Sequence, residues 1–203
     1  MDYRSILDRI YRTVDDEAYT VSVDRLVDPE ERAALEPFSR ALATGDFEPE
    51  SLRVFVTTLH EQGRIDRVKL LSALHMIAAH PRVADWDEAA RLCGEQELAA
   101  WELGGPELQA HLASVDRHRG VLAFLRGHHE VALDYFARVI ERERTGDNLG
   151  NVLCVLVRLG ERADARALFH QICASYPDGV RRDLRRRVAH DPDLAVLSSE
   201  LPA

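Results

Sequence analysis

Lysine is almost missing from this chain: Lys69 is the only one among 26 basic residues, the rest being arginine. That reads mainly as codon bias, although arginine is also the better bidentate partner for carboxylates. The bases are in turn outnumbered by 35 aspartates and glutamates, for a formal net charge of −9. This surplus of acid argues against general binding to nucleic acid or to an anionic membrane, both of which favour basic surfaces. Three cysteines, Cys93, Cys154 and Cys173, are too few and too scattered for a disulfide scaffold or a metal cage. No uninterrupted apolar run approaches the roughly 20 residues of a membrane helix. Met1-Asp2-Tyr3-Arg4 lacks the basic-then-apolar layout of a signal peptide, so the expected compartment is the cytoplasm. Strand pairs are missing too. Tyr19 to Val23 is β-branched, but one extended stretch cannot make a sheet, and it reads as a linker.

What is present is apolar content at helical spacing. Hydrophobic residues make up 46% of 203 positions, enough for a sizeable core. Ile6, Ile10 and Val14 fall at i, i+4 and i+8. Asp28-Pro29 and Glu48-Pro49 read as helix starts, with stops at Gly45 and Gly63. Further helices are expected from Asp66 to His80, from Asp85 to Leu103, and between single-glycine turns at Gly127 and Gly160. An Arg-rich helix follows Pro177-Asp178-Gly179, and a short turn from Leu194 to Leu197 closes the chain. The expected fold is all-α, built from consecutive antiparallel helix hairpins. Charge divides unevenly along it: residues 1–112 carry 12 bases and 22 acids, whereas 113–203 carry 14 bases and 13 acids.

Self-similarity is the most informative signal. Gly127 and Gly160, Ala132 and Ala165, and Phe136 and Phe169 are each 33 residues apart. Glycine permits a left-handed turn at a helix end. Alanine suits a close helix crossing. Phenylalanine four residues later lies on the same face and fills the gap to the next hairpin. This pattern resembles the tetratricopeptide repeat family over residues 113–145 and 146–178, with Gly120, Leu149 and Pro177 at further motif positions. Departures are Asp116 and Arg119 at apolar positions, Arg144 in place of a closing proline, and Leu153 at a small position. The implied organisation is an N-terminal helical region (1–112), two hairpins of a short α-solenoid (113–178), and a C-terminal capping helix with tail (179–203).

The resemblance implies a non-catalytic interaction module whose first helices line a groove for a peptide or partner helix. The groove positions correspond to Arg117, Val121, Phe124 and Leu125 in the first hairpin, and to Asn151, Cys154, Val157 and Arg158 in the second. Apolar in the middle with arginine at the edges, this set suits an amphipathic helix bearing carboxylates. The family's fuller Lys/Asn clamp for chaperone tails is not present. The cluster around Arg181 and Arg185 reads as a solvated cap, as a basic patch for an acidic partner, including another copy of this chain, or, least favoured because no aromatics interleave, as a nucleic-acid contact. Self-assembly of the acidic half against the Arg-rich helix is therefore the alternative function, and an enzyme with a site between the halves the third.

No catalytic or cofactor motif is legible, and no cofactor or metal is expected. The nine histidines lack His-Glu-x-x-His spacing and read as surface or core-edge residues. His75 and His80 lie well around a helix from each other, whereas His111 and His118 could share a face. Cys154 and Cys173 read as small buried hydrophobes. Trp86 and Trp101, about four turns apart, read as core.

Overall fold

The computed structural model describes residues 3–15 and 29–200. Ten α-helices and a closing 3-10 helix account for almost all of them, and no strand occurs among the described residues. The fold class is all-α, as expected. The stretch read as a linker, Tyr19 to Val23, lies outside the described residues.

The chain divides into two compact units. One is continuous, Asp24–Leu122; the other is split, joining Met1–Val23 to Ala123–Ala203. The sequence placed boundaries after 112 and 178. The compact units part between residues 122 and 123, within the helix Leu108–Leu125.

The continuous unit contains α2 (Pro29–Thr44), α3 (Pro49–Glu61), α4 (Arg67–Ala79), α5 (Trp86–Leu103) and most of α6 (Leu108–Leu125). Local chemistry sets its helix starts. Glu48, Asp66 and Asp85 accept from the backbone N–H of Ser51, Lys69 and Glu88, satisfying first-turn donors that otherwise have no partner. Gly45 and Gly63 follow α2 and α3 with φ of 67° and 70°, which a side chain would strain. Two apolar clusters hold the unit. Val68, Leu71, Ala78, Ala89, Leu92 and Ala100 join α4 to α5. Phe38, Leu52, Val56, Ala73 and Ile77 join α2, α3 and α4. Each large side chain so buried contributes roughly 1.5–3 kcal/mol.

The split unit contains α1 (Tyr3–Asp15), α7 (His129–Arg142), α8 (Gly146–Leu159), α9 (Arg162–Ser175), α10 (Asp178–His190) and the 3-10 helix (Pro192–Glu200). Ile6, Ile10 and Val14 are buried, and α1 packs on α7. Arg9 fixes that contact, reaching Asp134 Oδ1 at 2.8 Å and Glu141 Oε1 at 3.0 Å. Helix α8 is buried nearly all round, with α7, α9, α10 and the 3-10 helix against it. The positions of the 33-residue pattern divide into turn and core. Gly127 and Gly160 adopt φ of 78° and 87°, and Ala132, Ala165, Phe136 and Phe169 are buried.

Helix α10 lays Val180, Leu184 and Val188 against α8. The approach is close because α8 is bare there. A methyl group on Gly146 would lie 2.7 Å from the Leu184 backbone nitrogen and 2.9 Å from the Val180 carbonyl oxygen.

Candidate functional site

The polar residues that stand out are those inside the continuous unit's core. Helix α4 carries Ser72 and His75, and α5 carries Cys93 and Gln96. Each pair is three residues apart and so shares a helix face. Helix α6 adds His118 from a buried face that also holds His111, Val115 and Leu122. His75, Cys93 and Gln96 are each 1% exposed and His118 7%. One ligand-capable atom from each of His75, Cys93 and His118 lies within 4.8 Å of the other two.

The hydrogen bonds define the protonation of this cluster. His75 Nδ1 lies 2.9 Å from the Ala89 carbonyl oxygen. A carbonyl can only accept, so this nitrogen carries the hydrogen. Cys93 Sγ is 3.2 Å from the same nitrogen. His118 Nδ1 lies 2.9 Å from Gln96 Oε1, and its Nε2 faces the Ser72 hydroxyl at 3.5 Å. The two imidazoles stack, centroids 4.3 Å apart and planes 19° from parallel. Burial lowers the pKa of His75 and lowers that of His118 further, with His75 and the Arg117 guanidinium adding to the second effect. Burial likewise pushes the Cys93 thiol up to about 12. At neutral pH the cluster is therefore two neutral imidazoles and a thiol. A nucleophilic cysteine needs the opposite, a thiolate beside an imidazolium in an accessible site. The donor set instead suits a soft or borderline metal ion.

The reading as surface or core-edge residues fails for His75, His111 and His118, which are buried, while the other six histidines are exposed or half-buried. Comparing spacings within one helix could not reveal convergence across three. One signal was available: Gln96 and His75 occupy positions within apolar stripes, where an uncompensated polar group would be costly.

The positions carried over from the repeat resemblance separate into two groups. Arg117, Val121, Phe124 and Leu125 share one face of α6 by their spacing of four, three and one. The first three are half-buried and Leu125 is 44% exposed. Arg117 lies 3.5 Å from Ser114 Oγ, and the Phe124 ring packs on His129.

The second group is covered by the chain itself. Asn151 Oδ1 accepts from Arg187 Nη2 at 2.7 Å, and Arg158 is ion-paired with Asp193. Cys154 is buried, with Asp191 Oδ2 3.6 Å from its sulfur, and Val157 is half-buried. In the Arg-rich helix, Arg181 pairs with Asp178 and donates to the Cys173 carbonyl at 3.2 Å. Arg185 is half-buried, while Arg182 and Arg186 face solvent.

Two smaller readings also change. Cys173 is only half-buried. Trp86 packs on the α4–α5 core, but Trp101 is 57% exposed, beside Leu98 at 65%.

No protein-family model matches this chain, and neither a curated protein nor a solved structure matches it above chance similarity. No described helix is long and apolar enough to cross a membrane.

Proposed function

We propose that this protein is a non-catalytic interaction module of tetratricopeptide-like character, acting in the cytoplasm. It binds an amphipathic helix or peptide of a partner protein along α6. The observation that carries this reading is the stripe Arg117–Val121–Phe124–Leu125. It is an apolar strip with a cation at one end, and its exposed end is a leucine. A partner helix would set apolar residues at i, i+3 and i+4 against Val121, Phe124 and Leu125, with a carboxylate near Arg117. Asn151 and Arg158 are not part of the proposed surface, because Arg187 and Asp193 engage them within the chain.

A photo-crosslinking residue at Val121 tests the reading in the producing organism, with the same residue at the exposed position Arg162 as control. The expected result is one crosslinked protein specific to position 121. A synthetic peptide spanning its crosslinked segment should then bind the purified chain, and Arg117→Glu should weaken that binding at least about tenfold. Identical products at both positions, or binding indifferent to Arg117→Glu, would refute the stripe.

A further inference from the structure

The buried cluster of α4, α5 and α6 carries an inference that the interaction reading does not touch. We propose that His75, Cys93 and His118 form a binding site for a single cuprous ion. Three features of the cluster lead there.

The first is the donor set. Two imidazoles and one sulfur, with no carboxylate among them, are the ligands that soft d10 ions select. The second is the outer shell. Both histidines have a ring nitrogen held by an oxygen acceptor, the Ala89 carbonyl for His75 and Gln96 Oε1 for His118, each at 2.9 Å. Metal-binding histidines are oriented in this way, by a hydrogen bond from the nitrogen that does not ligate.

The third is charge. Loading Cu(I) displaces the proton of the Cys93 thiol to solvent and forms a copper–sulfur bond. One monovalent cation leaves as another enters, and the core stays neutral. No electron is transferred. A divalent ion would leave a positive charge buried next to the Arg117 guanidinium, whose field already disfavours protonation of His118. Three ligands also complete the coordination of Cu(I), whereas zinc held by three protein ligands needs a water or substrate in its fourth position.

Geometry sets what must move. Ligand atoms around a trigonal ion, with bonds of roughly 2.0–2.3 Å, are about 3.5–4.0 Å apart. Cys93 Sγ lies 3.2 Å from His75 Nδ1, the nitrogen held by the Ala89 carbonyl, so ligation through Nε2 requires the His75 ring to turn relative to the sulfur. The widest separation, up to 4.8 Å, must close by about 1 Å. Binding turns the two rings out of their stack, and it is the Gln96 and Ala89 hydrogen bonds that limit how far they turn.

The test is anaerobic competition of the full-length chain against the chromophoric chelator bicinchoninate. The expected stoichiometry is one Cu(I) per chain, with affinity weakening at least about 100-fold in Cys93→Ser and in His118→Gln. Because one proton leaves, affinity should also rise about tenfold per pH unit between pH 6.5 and 8. The charged side chains that face the site are Arg119 and Glu97 beside Cys93 and Arg117 beside His118. Copper-edge X-ray absorption on Cys154→Ser/Cys173→Ser gives a readout that leaves the cluster intact, and should show one sulfur and two imidazole nitrogens. Wild-type affinity in Cys93→Ser, a copper shell without sulfur in the double variant, or tighter binding of Zn(II) than of Cu(I) would each overturn the proposal.

Discussion

Gly146→Ala should destabilise the split unit, although alanine is the better helix former. Glycine costs a helix interior roughly 1 kcal/mol relative to alanine, so the substitution stabilises wherever the added methyl is free. At Gly146 it is not free. The methyl would lie 2.7 Å from the Leu184 backbone nitrogen, and 2.9 Å from both Asp183 Cβ and the Val180 carbonyl oxygen. Two of these three atoms belong to the α10 backbone, which cannot swing aside as a side-chain tip can. Restoring ordinary contact requires α10 to retreat by roughly 0.7 Å, lifting Val180, Leu184 and Val188 from a close-packed seat. Overpacking of this kind costs about 1–3 kcal/mol, and position 146 opens its helix, so the propensity gain is small. A net loss of about 2 kcal/mol corresponds to a Tm lower by roughly 4–8 °C for a chain of this size. Gly94 supplies the control: it lies inside α5, and nothing sits within 4 Å of where its methyl would go. Gly94→Ala should gain about 0.5–1 kcal/mol. Differential scanning calorimetry of the two variants decides the matter. Equal or raised stability in Gly146→Ala, or shifts of the same sign in both, would refute the close-crossing argument.

Two other outcomes follow from named contacts. The folded-state pKa of His75 and of His118 is depressed below the ordinary 6.5, so the unfolded chain binds more protons below that pH. The stability contributed by the neutral pair is therefore present above about pH 6.5 and lost as pH falls, by up to about 1.4 kcal/mol per pH unit for each histidine. Urea unfolding at pH 7, 6 and 5 reads this as a falling midpoint, and the slope should flatten in His75→Gln/His118→Gln. Arg187 donates to the Asp147 carbonyl at 2.6 Å and Asn151 Oδ1 at 2.7 Å, and lies 3.3 Å from Asp191 Oδ2. Arg187→Ala should cost about 1.5–3 kcal/mol by chemical denaturation, with Arg187→Lys recovering only part, because a point charge cannot span a guanidinium's partners.

The limits of the sequence follow from the range over which each signal acts. Helix ends are local: the Asp66 cap, Pro49 at a helix start and Gly160 in a left-handed turn need only neighbouring residues, and all were legible. The alanines and phenylalanines of the 33-residue repeat were legible because a period repeats itself. What failed was anything set by a second helix. Gly146 and Gly150 did not stand out, because nothing near them in sequence says that α10 crosses there. Asn151 and Arg158 looked like groove residues, since their partners Arg187 and Asp193 lie about 35 positions away. Trp101 sits at a spacing from Trp86 that suits the core, yet its side of α5 is exposed. The histidine–cysteine cluster needed three helices, and was invisible to any search for ligands on one.

The covering of Asn151 and Arg158 also changes what kind of complex the proposed function allows. A groove of two hairpins could approach the roughly 800 Å² per partner of a standard specific interface. One stripe of four residues on α6, three of them already half-buried, offers much less area. Complexes of that size sit at the weak, transient end of the range, where differences in affinity are expressed mainly as fast dissociation. A partner held this way dissociates during washing, so its absence from a co-purification would say nothing about the surface. That is why the proposed function is tested by a covalent trap at Val121, with affinity then measured on the trapped segment.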